Sequence, residues 1–195
     1  MEDTEDYVIE KYVPHKTPYS LLENFRDLIS GHSFYEIGCG FGHILNYVSN
    51  NLSPKTVSGC ENRSTQVNYT KKHFPSVTYD DVFSLEKLPD SDIYYVWSSF
   101  SFKEYKKIIY KIPKSSLFLI NFHLYSPRCN LGKKFCKGCG ESQLISDLMH
   151  KLLTYCKCSF RDTYYDEKSI HKCRNTGIFR TLIVEPAKVK KFKLW

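Results

Sequence analysis

The sequence predicts an α/β fold built on a mostly parallel sheet, and three observations carry that expectation. Extended stretches rich in β-branched and aromatic residues alternate with stretches of helical apolar periodicity along most of the 195 residues, the pattern of strands joined by helical crossovers. A glycine-rich turn, Gly38-Cys39-Gly40-Phe41-Gly42, falls where the first extended stretch gives way to a helical one. The length suits one domain with a sizeable core, and 42% hydrophobic with 25% charged residues is ordinary globular composition, which excludes a disordered chain or a coiled coil.

The elements follow in order after an N-terminal extension over residues 1–30. Thr17-Pro18 starts a helix: the hydroxyl can cap, and proline's fixed φ suits the first helical position. Leu21, Leu22, Phe25, Leu28 and Ile29 then share one face, and Gly31 ends the helix. Residues 33–37 read as a strand running into the glycine turn, and Ile44, Leu45, Val48 and Leu52 mark the next helix. Residues 56–60 form a second strand ending at Glu61, with Asn62 placed to cap a helix through about His73. A third strand is expected over 77–82 and a fourth over 92–97, the latter after the turn Pro89-Asp90-Ser91. Phe102, Tyr105, Ile108, Ile109 and Ile112 keep helical spacing until Pro113 stops the element. Residues 117–122 make a fifth strand, Leu144 to Leu153 a further amphipathic helix, and 159–165 and 178–184 two closing strands.

Charge and cysteine content bound the setting. The chain carries 28 basic and 21 acidic residues, a net charge of +7. The acidic start (Glu2, Asp3, Glu5, Asp6, Glu10) is the opposite of a secretory leader, and a basic tail over 188–195 holds Lys188, Lys190, Lys191 and Lys193. With no apolar run long enough to span a bilayer, the expectation is a cytoplasmic or nuclear protein without a membrane partner, its eight cysteines reduced. Basic balance of this size is compatible with RNA but also common in proteins that bind none. Cys136-Lys137-Gly138-Cys139, inside the loop 126–140, has the spacing of a zinc knuckle, with Cys129 as a third thiolate; a loop of reduced cysteines is the alternative. Cys39 and Cys60 occupy turn or strand positions and behave there as small apolar residues.

The chemistry concentrates at the glycine turn. Glycines let a chain turn tightly, let a ligand approach the backbone and let a helix pack closely, while the amides opening the helix accept polar ligand atoms. In Glu36-x-Gly38-x-Gly40-x-Gly42 the third glycine follows the second by two residues, which disfavours the dinucleotide fingerprint of an NAD-dependent oxidoreductase. With an acidic residue two positions before the first glycine, the stretch resembles motif I of the class I S-adenosylmethionine-dependent methyltransferases. That resemblance implies a Rossmann-like fold over about residues 31–187, with a seven-stranded mostly parallel sheet, helices on both faces and an antiparallel closing strand. It implies S-adenosylmethionine (SAM) as cofactor, bound by Glu36, Gly38, Gly40 and Gly42. Glu61, 19 residues after Gly42 at the end of the second strand, would hold the ribose hydroxyls, and Asp81 after the third strand would meet the adenine amino group.

The acceptor is less legible. The fourth strand leads into Val96-Trp97-Ser98-Ser99-Phe100, which has neither the Asp/Asn-Pro-Pro-aromatic tetrapeptide of adenine and glutamine N-methyltransferases nor the Pro-Cys of cytosine-C5 enzymes. The lead-in Tyr12-Val13-Pro14-His15-Lys16-Thr17-Pro18-Tyr19 resembles the Thr-Pro segment before motif I in some seven-strand protein-lysine methyltransferases. Tyr19, Trp97 and Phe100 are candidates for an aromatic wall around an amine or a flat base, although most aromatics in such a fold are core. The acceptor expected first is a protein side chain, lysine among them; a nucleic acid comes second. A non-catalytic methyltransferase-like binding module is the alternative of another class.

Overall fold

The structure, a computed structural model, describes residues 19–97, 100–124, 148, 150–152, 158–166 and 176–186. Its strands are β1 (Ser33–Ile37), β2 (Thr56–Glu61), β3 (Thr78–Tyr79), β4 (Ile93–Trp97), β5 (Leu117–Leu124), β6 (Cys158–Asp166) and β7 (Thr176–Val184). They form one seven-stranded sheet in the order β3-β2-β1-β4-β5-β7-β6. The first five pair in parallel, and β7 is antiparallel to both β5 and β6, so β7 alone runs against the rest. Strand order departs in opposite directions from β1 and β4. Their carboxyl ends therefore open a crevice at the topological switch point, where open α/β sheets take their ligands.

The two faces of the sheet bury different side chains because successive residues of a strand point to opposite sides. Phe34, Ile93, Tyr95 and Leu119 pack on one face with Leu21, Leu22, Phe25, Leu45 and Val48. Leu21 and Leu22 come from α1 (Tyr19–Glu23), Phe25 from the residue before α2 (Arg26–Ile29), and Leu45 and Val48 from α3 (His43–Asn51). Tyr35, Ile37, Tyr94, Val96, Phe118 and Ile120 pack on the other with Tyr105, Ile108 and Ile109 of α5 (Phe102–Lys111), and Leu148 and Leu152 join them. The apolar periodicity assigned these side chains to the core.

Three departures from expectation have a local reason. The first helix breaks into α1 and α2 at Phe25, whose φ of −116° and ψ of 12° leave the helical region. There Arg161 of β6 donates to the Asn24 carbonyl, grips Asp27 with two hydrogen bonds of 2.7 and 2.9 Å and lies over the Phe25 ring. The third strand is only Thr78–Tyr79, not 77–82, because Asp81 turns the chain. Its Oδ1 accepts from Phe83 N–H (3.0 Å) and its carbonyl from Ser84 N–H (2.9 Å), a local alternative to the sheet ladder. Finally, α4 (Ser64–Thr70) is not capped by Asn62. The N–H groups of Asn62 and Arg63 donate instead to Glu61 Oε1, at 2.9 and 3.1 Å.

Candidate active site

The glycine turn begins where β1 ends, and β2 pins it. Gly38 N–H and Cys39 N–H both donate to the Cys60 carbonyl, at 2.8 and 3.1 Å, which folds the turn back over the end of β2. Gly38, Gly40 and Gly42 have φ of +75°, +53° and +76°, a region L side chains rarely enter. Both backbone groups of Gly40 are then taken by side chains. Its N–H donates to Glu61 Oε2 (2.9 Å), and its carbonyl accepts from Thr70 Oγ1 of α4 (2.8 Å). A loop so anchored is preorganised rather than shaped by its ligand.

Beside it lies a cleft of about 510 Å³, bounded by Gly38, Gly40 and Glu61 on one side and by Asp81, Val82, Phe83 and Phe100 on the other. Phe83 and Phe100 meet edge to face, with centroids 5.3 Å apart. The cleft thus has a carboxylate and backbone at one end and an aromatic, acidic wall at the other, and its volume is that of a small-molecule site.

Glu36 sits in the last turnward stretch of β1, only 5% exposed. Its Oε2 has no hydrogen-bond partner. Burial, reinforced by the nearby Glu61 carboxylate and opposed by a hydrogen bond from the Leu45 backbone, pushes its pKa well above the usual carboxylate range. Stability should respond as follows. Below the unfolded-state pKa both states hold the proton; above it the unfolded chain ionises while the folded carboxyl stays protonated, so the folded state loses ground as pH rises. Relative to Glu36→Gln, wild type is expected to lose stability as pH rises above the ordinary glutamate pKa, with a limiting slope of about 1.4 kcal/mol per pH unit. Urea titrations of both chains at several pH values measure this, and a pH-independent difference would refute it.

Of the six residues expected to hold the cofactor, four meet at the cleft, and Glu36 and Gly42 are not among its lining residues. Gly38, Gly40, Glu61 and Asp81 line the cleft. Gly42 instead is the N-cap of α3, and a Cβ there would stand 2.7 Å from Thr70 Cγ2, so its lack of a side chain lets α3 and α4 pack closely. The three aromatic candidates do not converge. Trp97 packs on the α1–α3 face of the sheet and Phe100 on the α5 face. Tyr19, 46% exposed, stacks on Tyr47 of α3 at 4.1 Å. A common wall built from these three is therefore not what the fold forms. Cys129, Cys136 and Cys139 lie outside the described residues, as do Ser98 and Ser99; among the described residues no His, Cys, Asp and Glu side chains are grouped to hold a metal.

Three further residues shape the site without having drawn notice in the sequence. Gly59 brings β2 against β1, since a Cβ there would meet the Glu36 carbonyl at 2.6 Å. A glycine inside a strand is itself a signal of close backbone approach, so this one was readable. Thr70 gave no signal, because its hydroxyl serves a carbonyl 30 residues away. Asn121, fully buried in β5 beside Trp97, receives Thr181 Oγ1 at 3.1 Å on Oδ1, while its Nδ2 has no partner. With His123 it interrupts an otherwise apolar strand.

No protein-family model and no curated protein matches the sequence. Solved structures do match in shape. The Thermoplasma acidophilum protein 1320 aligns with a TM-score of 0.59 at 14% identity, over 89% of this chain and 85% of that one. The plantazolicin methyltransferase BpumL, in complex with a triazolic desmethylPZN analog and SAH, aligns with 0.59 at 14% identity, over 94% and 92%. A putative RNA methyltransferase, PH1948 from Pyrococcus horikoshii, aligns with 0.57 at 16% identity, over 88% and 87%. Among the described residues no helix is long and apolar enough to cross a membrane. With its single reversed strand inserted between β5 and β6, the chain has the seven-stranded fold of the class I SAM-dependent methyltransferases.

Proposed function

We propose that the protein is a SAM-dependent methyltransferase, with the cofactor held in the cleft between the glycine turn and the Asp81–Phe83 wall. The observation that carries this is the pair of carboxylates at the ends of adjacent strands. Glu61 faces the cleft, and Glu36 lies behind the glycine turn with a buried oxygen that has no protein partner. A buried carboxyl oxygen without a hydrogen bond costs about 1–3 kcal/mol, which a cationic or donor group of a ligand offsets. The residues fit the cofactor: a diol for Glu61, an amino-acid ammonium for Glu36, a flat base between Asp81 and the Phe83–Phe100 pair. SAM supplies an activated sulfonium methyl, and the protein's task is to hold ligand and acceptor aligned and dry. Gly38 and Gly40 contribute by admitting the ligand close to the backbone.

The acceptor we infer first is a protein side chain, lysine included, on the likeness of the Thr17-Pro18 lead-in to that of protein-lysine enzymes. The lack of a recognised acceptor motif in Trp97-Ser98-Ser99-Phe100 favours one second reading, a module that binds the cofactor without transferring its methyl. Calorimetric titration with SAM, S-adenosylhomocysteine and NAD, followed by methyl-labelled SAM with fractionated protein and RNA, tests both. Binding of the first two ligands but not NAD is expected, with label entering a protein fraction. A folded chain that binds neither overturns the assignment; binding with no label transferred selects the module.

A further inference from the structure

The far wall of the cleft is gripped by an ammonium from another element. Lys111, the last residue of α5, donates from Nζ to three backbone carbonyls, those of Val82 (2.8 Å), Phe83 (2.9 Å) and Leu85 (2.5 Å). An ammonium has three N–H donors and no acceptor, so this contact uses its whole capacity on one turn of chain. The turn is polarised to match. The Asp81 carboxylate accepts the Phe83 N–H, its backbone carbonyl accepts the Ser84 N–H, and the carbonyls of the turn go to Lys111. One amide of the turn thus meets a carboxylate and three carbonyls meet an ammonium, and charged partners make the stronger hydrogen bonds.

The helix that carries Lys111 is a firm anchor. Its first turn is closed by a reciprocal cap between Ser101 and Glu104, and Tyr105, Ile108 and Ile109 bury its inner side against the sheet. A second attachment runs through rings: Phe83 meets Phe100, and Phe100 meets Tyr105 of α5 edge to face at 5.7 Å. The opposite side of the cleft shares none of this. Gly38, Cys39 and Gly40 are held by Cys60, Glu61 and Thr70.

We propose that Lys111 is a positioning residue for the cleft, fixing the 82–85 turn so that Asp81 and Phe83 stand where they engage the base of a nucleoside ligand. The inference rests on the cofactor reading above and deepens it by separating the residues that set affinity for the base from those that hold the rest of the ligand. Without the ammonium, three carbonyls must turn to water and the wall keeps its ring contacts and the packing of Val82 and Leu85 on the core. Lys111→Met keeps an unbranched side chain one atom shorter and removes every donor.

The test is calorimetric titration of wild type and Lys111→Met with S-adenosylhomocysteine and, separately, with adenosine, each corrected for the folded fraction measured by thermal denaturation. Both ligands are expected to lose at least about fivefold in affinity, and by the same factor, because the base is common to both. Hydrogen exchange in the ligand-free variant is expected to quicken at the Phe83 and Ser84 amides and not at Gly38 or Gly40. Equal affinities in the two chains, or a loss that vanishes on correcting for unfolded protein, would overturn the proposal and assign Lys111 to stability alone. If Lys111→Met does not fold, Lys111→Gln takes its place with the same comparison. Wild type that binds neither ligand defeats the cofactor reading and this inference with it, an outcome visible before any variant is measured.

Discussion

Glu61→Ala is expected to weaken S-adenosylhomocysteine binding by about 2–4 kcal/mol, roughly 30- to 1000-fold. The lower part of that range is the direct loss of charge-assisted hydrogen bonds to a ribose diol. The rest is structural, because the carboxylate already accepts from Gly40, Asn62 and Arg63 backbone N–H groups. A carboxylate offers about four acceptor positions, so a diol takes the free one and displaces a weaker partner, the 3.1 Å bond from Arg63 being the longest. Removing Glu61 therefore frees the Gly40 amide, loosens the turn the ligand must meet in order, and leaves the Asn62 and Arg63 amides ahead of α4 without their acceptor. Each such hydrogen bond is worth about 0.5–1.5 kcal/mol of stability, so the variant should stay folded but melt earlier. It also removes a charge that helps keep Glu36 protonated. Isothermal titration with parallel urea denaturation measures both effects. An unchanged affinity would take the diol away from Glu61.

Much of this was readable from the residues, and what was not has a common physical cause. The strands reported themselves through alternation: Ser33–Ile37 was bounded correctly because both its neighbours, His32-Gly31 before and Gly38 after, break an extended pattern. The resemblance to motif I drew attention to Glu36, Gly38, Gly40, Glu61 and Asp81, and all of these but Glu36 line the cleft. What failed to show were long-range pairings in which one partner has no periodic signature. Thr70 looks like any helical threonine until Gly40 lies against it, and Lys111 looks like one more surface lysine in a helix with Lys103, Lys106 and Lys107. Arg161 breaks the first helix from 134 to 137 residues away in sequence, which no local propensity foretells. The aromatic wall failed for a different reason. Trp97 and Phe100 are close in sequence, but Trp97, the last residue of β4, packs on the α1–α3 face of the sheet and Phe100 on the α5 face.

Gly59→Ala tests how tightly the two acidic strand ends must be held together. Gly59 pairs with Glu36 in the parallel register of β1 and β2, and the added methyl would sit 2.6 Å from the Glu36 carbonyl and 3.4 Å from Cys39 Cβ. The obstruction at 2.6 Å is backbone, so no rotamer change relieves it and the strands must part by several tenths of an ångström. Overpacking of this kind costs about 1–3 kcal/mol, and the rigid backbone partner places this case near the upper end. Against a total stability of about 5–15 kcal/mol the domain should survive. The site should not survive intact, because the next residue, Cys60, supplies the carbonyl that pins Gly38 and Cys39, and the one after is Glu61. A shift of β2 therefore moves the pin and the carboxylate together, away from Glu36. The expected result is a drop of about 2–3 kcal/mol in urea denaturation, with at least about a tenfold loss in S-adenosylhomocysteine affinity among the molecules still folded. A Gly59→Ala chain as stable as wild type would mean that β1 and β2 separate freely. Lost stability with unchanged affinity would mean that the spacing of Glu36 and Glu61 does not govern binding, so the two measurements judge the packing and the site independently.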